Sequence, residues 1–318
     1  MKIICTGSIA FDILMTFPGY FRDHLIPDKL ECVSLSFLVD SMVRLRGGVA
    51  PNIAYTLALL GEKPILMGTV GEDFEEYRAW LDSAGVDTRY ARVIKGDYTA
   101  SFYANTDLVN AQIASFYPGA MAYAASQSIR DVLAEKPGLV VISPNDPRAM
   151  DNFVAECKEL KIPYLYDPSQ QLVRMDSETI RRGVDGCHCL FVNDYEFELI
   201  KKHTGMGLED LVNAVTFMVV TQGAKGSVIY AEGKEFQIEV VPPEAIIDPT
   251  GVGDAFRGGF LKGYSMNLDW LTCGQMGALA ACYCLEQRGT QSHRYTTAEF
   301  TVRYRKHFDD QGALSSLL

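Results

Sequence analysis

Between Leu139 and Thr221 the chain repeats one pattern, and no other stretch restricts the fold as much. Short apolar runs stand at Leu139-Val140-Val141-Ile142-Ser143, Tyr164-Leu165-Tyr166-Asp167, Leu190-Phe191-Val192-Asn193 and Phe217-Met218-Val219-Val220-Thr221. Helical segments separate them, from Ala149 to Leu160, from Thr179 to Val184 and from Glu196 to Lys202. Strands that are apolar on both sides need cover on both faces. The alternation therefore implies an α/β fold with a mostly parallel central sheet between helix layers, and a site at the carboxyl ends of the strands. Ser227 to Ala231 and Phe236 to Val241 read as antiparallel strands, Leu271 to Leu285 as a buried helix and Thr297 to Phe308 as a polar one. The 318 residues suffice for one large domain or two. No linker, repeat or low-complexity run divides them, so one domain over residues 1–318 is expected.

The first half is patterned differently. Lys2 to Asp12 is a short apolar strand running into a Gly/Ser turn with an aspartate. Asp12 there suits a sugar hydroxyl, although a turn or cap aspartate is the simpler reading. Leu30, Cys32, Ser34, Ser36 and Leu38 alternate loosely, and Asp97 to Thr106 is rich in Tyr, Phe and Thr, which favour pleated strands. We read the segments at about 14–46 and 95–118 as a small β-sheet lid inserted into the α/β body. A sheet covering one face only leaves room for a second copy, so a homodimer through the lid is expected. Between the two segments, Gly47-Gly48 precedes a helix that runs through Leu60 and ends at Gly61. Glycines there let a ligand approach the backbone, and Asn52 lies within reach, with an ordinary helix start as the plain alternative. Gln112 to Met121 mixes aromatics, Gln and Met, which would line a flat slot for a nucleobase or simply pack a core.

The formal net charge of −11 argues against nucleic-acid and anionic-membrane partners, which reward excess Lys and Arg. A local nest of N–H groups still allows a phosphate in an acidic protein. No apolar run reaches the ~18 residues of a membrane span, and no signal-peptide pattern precedes the first strand. The eight cysteines sit mostly in apolar runs. Cys187-His188-Cys189 has no matching Cys-x-x-Cys partner, so it reads as free thiols in a buried strand rather than a metal pair. A cytoplasmic location fits.

Chemistry concentrates in Ile246 to Phe260, which reads as a strand end, a glycine turn and a helix start. Phe256, Phe260 and Tyr264 recur at helical spacing, and Ala255, Gly258 and Gly259 would allow close packing. The turn Thr250-Gly251-Val252-Gly253 leaves backbone N–H groups at the positive end of a helix, which suits an anion. Asp254 places a carboxylate at the same spot. A base beside an anion hole makes sense when a proton must be removed while negative charge develops nearby. Two further loops follow late strands: Asn193-Asp194-Tyr195-Glu196, and Thr221-Gln222-Gly223-Ala224-Lys225-Gly226. Each alone is a weak signal, but the three in this order are a strong one.

On these motifs the chain resembles the PfkB, or ribokinase-like, family of carbohydrate and nucleoside kinases. Asp248-Pro249-Thr250-Gly251-Val252-Gly253-Asp254-Ala255-Phe256 is similar to the family's C-terminal signature, and the Gly47-Gly48 and Asn52 region to its N-terminal one. The resemblance implies a three-layer α/β/α sandwich and ATP-dependent phosphoryl transfer. It gives Asp254 the role of base, and the N–H groups of Gly251, Val252 and Gly253 that of the anion hole. It implies that Asn193 and Glu196 organise Mg²⁺ and phosphate through water, that Thr221, Gly223 and Gly226 line the ATP site, and that Asp12, Gly48 and Asn52 hold ribose hydroxyls. It also implies a K⁺ near Asp248 and Thr250. Within the family, Gly48 to Ala54, Gln112 to Met121 and Asp167-Pro168-Ser169-Gln170-Gln171 are most similar to the bacterial adenosine-kinase branch. By that likeness Ser8, Ser36, Phe102, Phe116, Met121 and Gln170 would surround the purine or ribose, and the reaction would convert adenosine to AMP in purine salvage. Asn110-Ala111-Gln112 departs locally, which leaves the base open. A sugar kinase acting on ribose, fructose or a derivative is the nearest alternative, and a catalytically silent binding protein a more distant one. The aromatic pair Phe102 and Phe116 favours a base, and the intact glycine turn with Asp254 argues against a silent site.

Overall fold

The computed structural model describes residues 1–24 and 34–318. A central strand, β1 (Ile3–Thr6), pairs in parallel with β4 (Ile65–Val70) on one side and β8 (Leu139–Ile142) on the other. Beyond β4 lies β5 (Asp87–Val93). Beyond β8 follow β9 (Tyr164–Tyr166), β10 (Cys189–Asn193), β11 (Phe217–Thr221), β12 (Ser227–Ala231) and β13 (Lys234–Ile238). Only β12 runs against the other eight strands of this sheet. The order reverses at β1: the chain steps outward to β5, then returns to β8 on the opposite side. A crevice opens where strand order reverses, at the carboxyl ends of the strands.

Alternation along each strand divides the core in two. Ile3, Cys5, Val141 and Phe191 belong to the cluster under α1 (Val49–Leu59), α2 (Glu75–Ala84), α7 (Val252–Ser265), α8 (Trp270–Leu285) and α9 (Thr297–His307). Ile4, Val140, Ile142 and Leu190 belong to the cluster under α3 (Pro147–Leu160), α4 (Ser177–Val184), α5 (Asp194–Thr204) and α6 (Leu208–Ala214). This is the expected three-layer sandwich, and successive side chains on opposite faces of a strand are its cause.

The tightest joint is between α7 and α8. A Cβ on Gly259 would lie 2.5 Å from the Met276 carbonyl and 2.7 Å from Ala280 Cβ, so the two backbones touch. A Cβ on Gly258 would lie 2.6 Å from Thr56 Cβ and 3.1 Å from the Ile53 carbonyl of α1, so α7 lies close to that helix as well. The opposite side of α7 carries the aromatic stripe: Phe256 and Phe260 meet Phe191, and Phe260 and Tyr264 meet Phe217.

A second sheet stands over the crevice, in the order β3 (Ser41–Gly47), β2 (Ala10–Thr16), β6 (Ala100–Thr106) and β7 (Gln112–Tyr117). It differs from the sequence reading in two respects. Asp12 lies inside lid strand β2, not in a turn after β1, because the chain leaves β1 and re-enters extended structure at Ala10. Residues 34–40, expected to alternate as a strand, are irregular, and Leu30 and Cys32 lie outside the described residues. Registry puts Leu45, Asp12, Phe102 and Phe116 in one row across the lid. Met42, Tyr103 and Ile113 are on its other face and exposed.

Gly259→Val is expected to destabilise the fold by about 4 kcal/mol or more, since neither contacting backbone can withdraw. Thermal unfolding of the soluble fraction measures it, and a melting temperature equal to the parent's would refute the backbone-contact account.

Candidate active site

The site forms where α7 begins, beneath the lid. Gly251 takes a left-handed conformation, φ 76°, and ends the loop that delivers the helix. A Cβ at Gly251 would lie 2.8 Å from Thr290, so the turn also needs glycine for space. Having no side chain, Gly251 cannot cap α7, and the first-turn N–H groups keep their hydrogen-bonding capacity. Of the three expected anion-hole donors, Val252 is partly engaged, its N–H reaching back to the Pro249 carbonyl at 3.5 Å.

Asp254, on that first turn, accepts a hydrogen bond of 2.8 Å from Asn52 Nδ2. Burial pushes its carboxyl up to about 7; Arg257 and the Asn52 bond pull it down, while Asp167 and Asp12 push it up. A carboxylate titrating near neutrality is suited to taking a proton. Asn52, expected to hold a ribose hydroxyl, thus has one amide hydrogen committed to Asp254. Its Oδ1 accepts from Thr290 Oγ1 at 2.8 Å and Gln291 Nε2 at 2.9 Å.

A second charged pair lies beneath. Arg257 Nη2 donates to Asp167 Oδ1 at 2.7 Å, with the two side chains 7% and 1% exposed. Ser143 Oγ donates to Asp167 Oδ2 at 3.2 Å, and the guanidinium stacks 4.8 Å from the Phe191 ring. A Cβ at Gly253 would lie 2.9 Å from Arg257 Nη1, so the guanidinium sits against the anion-hole turn. Burial raises Asp167 to about 6 against the pull of Arg257. The sequence reading passed over this pair. The available signal was Arg257 itself, an arginine flanked by Ala255, Phe256, Gly258, Gly259 and Phe260 in a close-packed helix, which must find a partner when buried.

The N-terminal residues converge on the same place. Gly48 has φ 96°, and a Cβ there would lie 2.5 Å from the Ser8 carbonyl. Ser8 Oγ accepts from the Val49 N–H at 3.3 Å, so its hydroxyl serves the start of α1. Asp12 lies against Gly47, where a Cβ would come within 2.5 Å of Oδ2. Burial and then the Asp248 charge raise Asp12 to about 6. Phe102 is half-buried and Phe116 is 48% exposed, both in the row of Asp12. Met121 instead packs with Ala10 and Ala100 under the lid. Gln170 and Ser36 are exposed, and no hydrogen bond ties either to the cluster.

The expected ATP loops stand at the ends of β10 and β11. Asn193 and Glu196 cap α5 reciprocally: Asn193 Oδ1 accepts from the Glu196 N–H at 2.7 Å, and Glu196 Oε2 from the Asn193 N–H at 2.8 Å. Ser169 Oγ donates to Glu196 Oε1 at 3.0 Å. Thr221 ends β11; Gly223 and Gly226 have φ of 57° and 90°, and a Cβ at Gly226 would meet the Ile238 carbonyl at 2.0 Å. Asp248 accepts from the N–H of Thr250 at 2.9 Å and of Gly289 at 2.9 Å, stapling the loop before α7 to the one after α8. Although burial raises it, these bonds hold its carboxyl below the usual range. Among the described residues no cluster of three His, Cys, Asp or Glu side chains could hold a metal. No helix is long and apolar enough to cross a membrane among them.

A carboxylate at an uncapped helix start, a crevice at the strand-order reversal and a lid above them match a phosphotransferase acting on a hydroxyl group, which is the class the comparisons give. The chain belongs to the pfkB family of carbohydrate kinases, whose model matches residues 14–297. It is 31% identical over 310 residues to a nucleoside kinase of Methanothermobacter thermautotrophicus, with 95% of each chain covered. Among solved structures it is similar to Burkholderia thailandensis nucleoside kinase in complex with inosine (36% identity, 97% of this chain and 98% of that one, TM-score 0.85). It is similar also to the Methanocaldococcus jannaschii nucleoside kinase (28% identity, 96% and 98%, TM-score 0.87).

Asp254→Asn is expected to be more stable than the parent at pH 8. The folded carboxyl, raised to about 7 from an ordinary 3.8, holds its proton more tightly than the unfolded one. Stability therefore falls as pH rises from about 4 to 7, and the asparagine lacks that loss. The melting temperature should exceed the parent's by at least about 2 °C at pH 8, with the gap narrowing at pH 5. An equal gap at both values would exclude the raised titration.

Proposed function

We propose that the protein is an ATP-dependent nucleoside kinase that phosphorylates the 5′-hydroxyl of a nucleoside, with adenosine as the leading substrate and AMP as product. The observation that carries this reading is Asp254 at the uncapped start of α7, hydrogen-bonded to Asn52 and near Asp12, whose lid row also holds Phe102 and Phe116. The two rings offer apolar faces for a base, and Asp12 a carboxylate for ribose hydroxyls. Relatives named nucleoside kinases, and the Burkholderia structure with inosine, support a base-bearing substrate over a bare sugar.

The residues divide the work. The substrate's hydroxyl oxygen bonds to the γ-phosphorus of ATP as the bond to the β-phosphate oxygen breaks, releasing ADP. Asp254 takes the hydroxyl proton. The α7 N-terminus, with N–H groups of Gly251 and Gly253 in the turn, holds the charge on the transferred phosphoryl. Arg257 adds a fixed positive charge behind that turn, neutralised in the ground state by Asp167. Thr221, Gly223 and Gly226 line the nucleotide. When bound with ATP, Mg²⁺ would shield the phosphate oxygens, and Asn193 and Glu196 would orient its water shell. A K⁺ at Asp248 and Thr250 is less well suited to the loop, because both Asp248 oxygens already accept backbone N–H groups, so no step is derived through it. The lid excludes water, which would otherwise hydrolyse ATP. The exposed Met42, Tyr103 and Ile113 on its outer face support a homodimer formed there. The seven cysteines of the described residues are free, which fits a cytoplasmic enzyme.

Asp254→Asn should lower kcat by about a thousandfold or more while nucleoside and ATP still bind. In the parent, kcat/KM should rise with pH through about 7, as Asp254 loses its proton. A coupled ADP-release assay over nucleosides and sugars with ATP and Mg²⁺ tests the whole reading. Turnover of ribose or fructose without turnover of any nucleoside would sink it.

A further inference from the structure

Asn52 can assist Asp254 only one way round. Its NH₂ end stabilises an ionised carboxylate, and its oxygen end would repel one. What sets that orientation lies on the far side of the amide. Asn52 Oδ1 meets two groups, Thr290 Oγ1 and Gln291 Nε2. The Thr290 hydroxyl also lies 2.9 Å from the Arg46 carbonyl. Both neighbours of that hydroxyl are acceptors, and it has one hydrogen to share between them. Gln291 has two amide hydrogens. One goes to Asn52 Oδ1 and the other to Tyr77 Oη. Tyr77 in turn donates its single hydrogen to the Gly47 carbonyl at 2.9 Å, so toward Gln291 it can only accept. A backbone carbonyl, which cannot be turned, thus sets Tyr77. Tyr77 sets Gln291, Gln291 sets Asn52, and Asn52 presents its NH₂ to Asp254. Gln291 is 4% exposed, and its Oε1 has no partner among the described residues. A buried unpaired acceptor is costly, and reversing the amide to satisfy it would set oxygen against Asn52 Oδ1 and leave Tyr77 Oη without its donor.

We propose that Gln291 is a positioning residue for the phosphoryl-transfer reaction: with Tyr77 it fixes the amide of Asn52 so that its NH₂ end meets Asp254. The proposal rests on the reading of Asp254 as the base. The groups facing Asp254 are Arg257 on its own helix, Asp167 after β9, Asp12 in β2, Asn52 in α1, and the un-ionised Cys284 of α8 and Tyr77 of α2. Of these, Gln291 touches only Tyr77 and Asn52. Gln291→Met adds no charge and leaves Tyr77 neutral and bonded to the Gly47 carbonyl, so in that variant a shift in Asp254 passes through Asn52.

Gln291→Met keeps the volume and removes both donors; Gln291→Glu keeps the shape and replaces the donors with acceptors. Each should lower kcat roughly tenfold to a hundredfold, with Gln291→Glu the more severe, and leave KM for ATP within about twofold. The acid limb of kcat/KM against pH should move up by about one unit. Tyr77→Phe should act in the same direction, and the double variant Tyr77→Phe/Gln291→Met should lose less than the product of the single losses. A readout free of turnover separates this proposal from the kinase reading. The melting-temperature gap between the parent and Asp254→Asn, followed against pH, reports the titration of Asp254; measured again in the Gln291→Met background, its midpoint should rise by about one unit. That shift supports the positioning role even if no nucleoside turns over. A midpoint and acid limb that stay in place in folded Gln291→Met and Gln291→Glu overturn it, as does a rise in nucleoside KM with kcat unchanged.

Discussion

The bond between Asn52 and Asp254 joins residues 202 positions apart, and the site exists only if they meet. One stands on α1, the other on α7, and both helices must be held to a few tenths of an ångström. Glycine provides that tolerance. Gly258 lets α7 lie against Thr56 of α1, Gly259 lets it touch the Met276 carbonyl of α8, and Gly48 lets α1 start against the Ser8 carbonyl. At each point a methyl group would displace the hydrogen-bonding partners. Close packing of backbones thus positions the chemistry, and it explains why so many glycines surround one carboxylate.

The electrostatics follow from the same packing. Three carboxylates, Asp12, Asp167 and Asp254, lie near one helix terminus and are each raised by burial. One buried cation, Arg257, faces them. Such a cluster is costly in an empty protein. On the proposed reaction it would become favourable on substrate binding, since ribose hydroxyls, a hydroxyl proton and phosphate charge would each find a group already oriented. The lid completes this. Its inner row carries Asp12 and the two phenylalanines, while its outer face carries Met42, 67% exposed.

The sandwich was legible because apolar strands alternating with helices leave few other solutions, and the segments between Leu139 and Val241 fall close to the expected ones. The turn at Gly251 to Asp254 was legible because its residue types make sense only together. Other parts were not. Asp12 was read as a turn residue because a Gly-Ser step after a strand looks like one; pairing with β3 and β6 makes it a lid strand. Met121 looked like a slot residue and packs in a small core, since periodicity does not say which side of a lid a side chain takes. Arg257 with Asp167, and Gln291 with Tyr77, carried no spacing signal, because their partners are 90 and 214 positions away.

The sequence by itself determined the class of fold, the helix-start turn and the carboxylate within it, because these depend on local pattern: apolar period, glycine conformation and an acidic residue beside free N–H groups. Tertiary structure decided what that carboxylate touches. The orientation of Asn52, the cation behind the glycine turn and the face of the lid turned to the crevice all depend on contacts between elements far apart in the chain. The turn at Asp254 can be recognised from a dozen residues, but its titration near neutrality is set by its own helix and three other segments that meet it only after the sheet has formed.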